Sequence, residues 1–179
     1  MSLRIDVNEY LSGPEDLRRR ELVWGVVREP PAPRFGHQAV VTRALVLLDL
    51  HVRARQLGVV CVAPLDVVLD EAKALIVQPD VVFVSTERAG IVRDQVWGAP
   101  DLVVEVASRA TAVRDRTTKI EWYRIYGVRE CWLIDLAHRL VTVVDLQAQG
   151  DLRRSFTGDE WVQSAVLPDF RAEARDFFE

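Results

Sequence analysis

Apolar residues recur along this chain at two spacings, and the switches between them mark out its elements. After a short helical stretch from about Val7 to Leu17, the run RELVWGVVRE reads as a strand bent at Gly25. PPAPRFG then interrupts all regular structure. From His37 to about Arg55 the period is helical, with Val41, Ala44, Leu45, Leu48 and Val52 near one stripe. Gly58 ends that helix and the period falls to two. VVCVAPLDVVL reads as one or two strands, LIVQPDVVFVS as another and DLVVEVAS as the next. Residues 111–126, TAVRDRTTKIEWYRIY, return to helix and stop at Gly127, where a C-terminal glycine belongs. ECWLIDL and RLVTVVDL predict a hairpin turning near Ala137 and His138, and DLRRSFTGDEWVQSAVLPDF predicts two more short strands. Helix, strands, helix, strands in this order predict an α/β or α+β domain with a central mixed β-sheet flanked by helices. No repeat, low-complexity tract or linker divides the 179 residues, so a single domain over residues 1–179 is expected.

Composition narrows the class. At 49% hydrophobic and 28% charged residues, the chain reads as a soluble globular protein. MSLRIDVNEYLSG carries no long apolar run, so no signal peptide is expected, and no stretch approaches the roughly 20 residues of a membrane span. Cys61 and Cys131 lie in apolar segments without partner spacing, which suggests a reduced, cytoplasmic protein rather than a disulfide framework or a zinc site. The net charge of −4 argues against a surface dominated by phosphate contacts. It leaves room for a local basic groove, and carboxylates gathered around a metal would themselves make the total more negative.

The candidate chemistry begins with Glu105, a carboxylate inside the apolar strand DLVVEVAS. Glutamate is almost never fully buried unless it is paired or holds a metal. Glu105 is therefore a structural ion pair, a residue on an exposed face, or a metal ligand or acid/base. Asp80, in QPDVVFV, is its first companion: if the two strands are neighbours, both side chains can meet on one face. Two carboxylates sharing a site repel and call for a cation between them, and all-oxygen ligation suits Mg²⁺ or Mn²⁺. Asp101 shares the strand face of Glu105, but four extended residues span about 13 Å, too far for one ion, and it reads better as a strand start. Lys119 is the second companion. Asp115, Lys119 and Tyr123, spaced by four, share a helical face. Lys119 is either one half of a surface pair or a cation folded back over the sheet edge. His37 and Glu21 are accessory candidates, each with a simpler structural explanation: a helix-start histidine and an exposed strand glutamate. Ser108 lacks a nucleophile-elbow context, and no phosphate-binding glycine loop is present. Trp122, Tyr123, Tyr126 and Trp132 read most simply as core and helix-packing aromatics.

An Asp in one strand, a Glu in the next and a nearby Lys resemble the pattern of the PD-(D/E)XK nuclease superfamily. The segments RRRELVWGVVREPPAPRFGHQAVV, QPDVVFV, GAPDLVVEVAS and DRTTKIEWYRIYGVRECWLID resemble, more closely, the Uma-type restriction endonuclease family, formerly a domain of unknown function. The resemblance runs from about Glu21 to Phe170 and is most specific from the second PD through Lys119, Tyr123, Gly127, Val128 and Trp132 to Asp135. It implies a restriction-endonuclease-like core with extra N- and C-terminal strands. It implies Asp80 and Glu105 as ligands of Mg²⁺ or Mn²⁺ and Lys119 as the catalytic lysine, moved to the helix because Ala107 stands at the superfamily's usual lysine position. The chain also has Asp169 where the family usually has Gly. Arg109, Arg114, Arg116 and Arg124 then become candidates for contacts to the DNA backbone, or simply a solvated basic helix face. A metal-dependent DNA endonuclease acting as a homodimer is the expectation. The competing readings are a nuclease-fold module that binds nucleic acid or protein without cutting, and a hydrolase of small phosphate esters.

Overall fold

The computed structural model describes residues 4–13, 18–107, 112–148 and 152–179, with the main chain alone over 112–116. Helix α1 (Val7–Leu11) leads into a hairpin of β1 (Glu21–Val23) and β2 (Val26–Arg28). Asp6 caps α1, its side chain accepting from the Glu9 amide. The helix ends at Leu11, short of the expected Leu17, and residues 14–17 lie outside the described residues. Trp24 and Gly25 both have positive φ, 52° and 80°, so RELVWGVVRE folds back on itself instead of running on as one bent strand.

Helix α2 (Phe35–Arg55) follows, then β3 (Gly58–Val62), β4 (Val67–Asp70), β5 (Leu75–Val77) and β6 (Val81–Ser85). The expected single strand LIVQPDVVFVS is two strands in two sheets, because Pro79 has no amide hydrogen to donate to a ladder. After β7 (Val96–Trp97) come β8 (Leu102–Ala107), helix α3 (Ala112–Tyr126), β9 (Glu130–Asp135), β10 (Leu140–Asp145) and β11 (Leu152–Thr157). Residues β8, α3 and β9 form the parallel crossover, and β9 pairs with β10 as the expected antiparallel hairpin. Of the two C-terminal strands expected, β11 forms, while Trp161 makes only an isolated bridge to Glu173.

Two mixed sheets result: β2-β1-β5-β4-β7 and β11-β10-β9-β8-β6-β3. The N-terminal strands β1 and β2 thus join β4, β5 and β7 in a second sheet stacked on the central one. One face of the six-stranded sheet packs Val81, Phe83, Val104, Trp132 and Ile134 against Val41, Ala44 and Leu48 of α2 and against Leu167, Phe170 and Phe177 of the C-terminal segment. Trp132 is fully buried there, edge-on to Phe170 and Phe177, and truncating it to Ala would cost about 3–5 kcal/mol. The opposite face packs Val82, Val84, Val103 and Cys131 against the second sheet and against Ile120, Trp122 and Tyr123 of α3. Asp169 has φ 55°, the left-handed conformation that glycine adopts freely and Asp tolerates.

Candidate active site

The antiparallel register of β6 and β8 pairs Val81 with Val104 and Val82 with Val103. Carried one residue outward, it sets Asp80 opposite Glu105. Side-chain alternation turns both toward the face that α3 and the second sheet cover. Asp80 sits where the chain crosses from one sheet to the other, and Pro79 holds that crossing open. Its Oδ2 accepts the Val106 amide at 2.7 Å and lies 3.4 Å from His37 Nε2 at the start of α2. Its Oδ1 receives Arg19 at 2.6 Å.

Glu105 is held from above by α3. Gly127, with φ 92°, closes this helix, and the amides of Gly127 and Val128 both donate to the Tyr123 carbonyl. Tyr123 and Lys119, one turn apart, therefore point down onto the sheet. The Tyr123 hydroxyl donates to Glu105 Oε1, and Lys119 Nζ lies 3.2 Å from the same oxygen. Lys119 also donates to Glu21 Oε1 at 2.6 Å. Glu21 is buried, not exposed as its place in a short strand suggested: Leu22 on β1 pairs with Ile76 on β5, which brings its carboxylate under the Gln78 amide at 3.1 Å.

The candidate residues thus divide clearly. Asp80, Glu105, Lys119, Tyr123, Glu21 and His37 come together. Asp101 does not: it accepts the Ser85 amide at 2.8 Å and faces Arg129 and Arg88 at 3.3 and 3.6 Å, tying the start of β8 to its neighbours. Arg109 and the side chains of Arg114, Asp115 and Arg116 lie outside the described residues. Arg124 pairs with Glu121 on its own helix. One member of the cluster was not anticipated. Arg19 spans the acid pair, bonding Asp80 and the Gln78 carbonyl and standing 3.7 Å from Glu105 Oε2. Its only sequence signal is the run of three arginines directly before Glu21.

Electrostatics separate the two acids. Burial pushes Glu105 up and the charge of Asp80 adds to it; Lys119 and Arg19 pull it down without cancelling, so it stays above its ordinary value. Burial also pushes Asp80 up, but the His37 hydrogen bond, the Arg19 charge and the Val106 amide outweigh it and hold Asp80 low. Burial would pull Lys119 down, yet Glu105 and Glu21 overcome it and keep the ammonium charged. Tyr123 is driven well above its ordinary value by burial and by Glu105, so it remains a donor.

Two cavities flank the cluster. One, of about 590 Å³, is lined by Glu105, Lys119, Glu21, Trp24, Arg28 and Thr118. The other, of about 330 Å³, is lined by Asp80, His37, Arg18 and Pro33. Arg19, Glu29 and Pro30 border both. Among the described residues no group of three or more His, Cys, Asp and Glu could hold a metal alone. A pair of carboxylates is nevertheless what Mg²⁺ takes from a protein, with water and phosphate oxygens completing its shell. Asp80 Oδ1 and Glu105 Oε2 both face one cationic group, the Arg19 guanidinium, which stands in for a cation between them. The residues present fit such an ion.

An acid pair on adjoining strands, with a lysine on the next helix, sits here on a fold shared with a crystal structure described as a "putative nuclease belonging to DUF820" from Anabaena variabilis ATCC 29413. That structure superposes with a TM-score of 0.81 over 97% of each chain at 20% identity, a likeness of fold. No curated protein matches the chain. The sequence profile of the Uma2 family, described as "putative restriction endonuclease", matches residues 7–175, and the chain belongs to that family. Among the described residues no helix is long and apolar enough to cross a membrane.

Proposed function

We propose that this chain is a metal-dependent DNA endonuclease that hydrolyses phosphodiester bonds. The observation that carries the reading is the meeting of Asp80 and Glu105 across neighbouring strands, beside a charged Lys119 and against a cavity. Asp80 and Glu105 would hold Mg²⁺ or Mn²⁺, which when bound polarises a phosphate and makes its water a stronger nucleophile. The Val106 amide and His37 fix the Asp80 carboxylate in place, and Tyr123 does the same for Glu105. Lys119 orients the attacking water or neutralises the charge that develops on the phosphate. The two adjoining cavities suit a chain-like substrate better than a small phosphate ester. Arg109, Arg114 and Arg116 are assigned to the DNA backbone, and a cytoplasmic homodimer supplies one site per strand.

A non-cutting binding module is favoured by one observation: Arg19 already balances the acid pair without a metal. Incubation of plasmid and of single-stranded DNA with Mg²⁺, Mn²⁺ or EDTA, beside Glu105→Ala, separates the two readings. Cleavage that needs metal and disappears in the variant supports the endonuclease. No cleavage by the wild type under any of these conditions, with no metal bound by calorimetry, leaves the binding module.

A further inference from the structure

The acid pair has four carboxylate oxygens, and two are committed. Asp80 Oδ2 is held by the Val106 amide at 2.7 Å and by His37 at 3.4 Å. Glu105 Oε1 is held by Tyr123 and by Lys119 at 3.2 Å. The other two, Asp80 Oδ1 and Glu105 Oε2, are those left to ligate a cation, and among the described residues each has Arg19 as its charged partner, at 2.6 and 3.7 Å. Arg19 is imperfectly housed for a purely architectural residue. Its Nε is buried with no hydrogen-bond partner among the described residues, and so is His37 Nδ1 on the other side of Asp80. A buried donor left unpaired is costly, which a guanidinium fixed for structure alone would normally avoid. Arg19 also borders both cavities, so the guanidinium has space on either side.

We propose that Arg19 and the catalytic divalent ion compete for the same two carboxylate oxygens, so that Arg19 is the resident counter-ion of the metal-free site and must swing out before metal can bind. The inference rests on the endonuclease reading and adds to it a residue that sets metal affinity. Arg19 keeps two buried like charges compatible in the absence of metal, as an opposite charge does for any close carboxylate pair. In return it adds a like-charge barrier to the entering ion.

The test is calorimetric titration of Mn²⁺ into metal-free wild type, Arg19→Gln, Arg19→Lys, Arg28→Gln and Glu105→Gln. Arg19→Gln is expected to bind Mn²⁺ at least about tenfold more tightly than wild type. Arg19→Lys, which keeps the charge, stays within a few-fold of wild type. Arg28→Gln, which removes a cation from the same cavity wall but not from the acid pair, also stays within a few-fold, so a general field effect is told apart from direct competition. Equal or weaker binding by folded Arg19→Gln, with wild type binding and Glu105→Gln failing to bind, overturns the competition and leaves the endonuclease reading standing. Absence of Mn²⁺ binding in wild type and Arg19→Gln alike overturns both. A second measurement needs no variant of Arg19. In ¹⁵N-labelled wild type, the Arg19 guanidinium signal must shift and its hydrogens exchange faster with solvent on saturation with Mg²⁺ than in the metal-free protein; a signal that does neither in the metal-bound protein overturns the proposal.

Discussion

Two buried glutamates stand on adjacent parallel strands, and they are buried in different ways. Glu130, at the start of β9, has no exposed surface, and all its described partners are neutral: Trp132 Nε1 at 2.7 Å, Ser164 Oγ at 2.6 Å and the Ala165 amide at 2.7 Å. Ser164 and Ala165 thereby fasten the C-terminal segment to the start of the interior strand β9. Glu105, on β8, shares its surroundings with Asp80 and Glu21 and is balanced by Lys119 and Arg19 at the edge of a cavity. Burial alone therefore says little about role. A carboxylate satisfied by fixed neutral donors is architecture; one held against another acid by cations on flexible stems is poised to exchange partners.

The sharpest way to break this contrast is Glu105→Gln. It should lower metal-dependent plasmid cleavage at least about 10³-fold, roughly 4 kcal/mol of transition-state stabilisation, without lowering the melting temperature of the metal-free protein. A variant that unfolds as readily as it loses activity would put Glu105 in the same class as Glu130. Next in size, Glu130→Gln should lower the unfolding free energy by about 2–3 kcal/mol in urea titrations, since it weakens three buried hydrogen bonds to one side chain. Cleavage per folded molecule should be unchanged. Asp101→Asn, on the strand face of Glu105 but away from the cluster, should cost about 1–2 kcal/mol and likewise leave turnover alone.

The smallest effect is on pH dependence. In EDTA, Glu105 is held above its ordinary value of 4.5, so its folded state favours the protonated form. Its contribution to stability grows as pH falls from neutral toward that value. Asp80 is held below its ordinary value of 3.8, so its contribution is complete above that value and is lost as pH falls further. Melting temperatures should rise slightly from pH 7 toward pH 5, then fall below about pH 4, and Glu105→Gln should lack the rise. Superimposable profiles for the two proteins would place the titrating group elsewhere.

Much of this site could be read from the chain because its members lie in strong local patterns. Asp80 and Glu105 interrupt apolar strands, and Lys119 and Tyr123 share a helix face, so alternation and period set out the candidates, while the family resemblance singled out Asp80, Glu105 and Lys119 among them. Arg19 and the burial of Glu21 depend on contacts that local pattern does not carry. Arg19 meets Asp80 across 61 positions, and Glu21 meets Lys119 across 98. Both contacts exist because β1 joins a second sheet through β5, and that sheet was hidden for a physical reason. The apolar runs on either side of Gln78, Pro79 and Asp80 read as one continuous strand, and the missing Pro79 amide hydrogen marks where the ladder must end.

The segment that walls the two cavities, residues 29–33, contains Pro30, Pro31 and Pro33. Each pyrrolidine ring has fixed its own backbone torsion long before any substrate arrives. Such a wall has little freedom to surrender on association, so the entropic penalty of docking a polymer against it is small. On the nuclease reading, this wall would act as a rigid jamb rather than a closing flap.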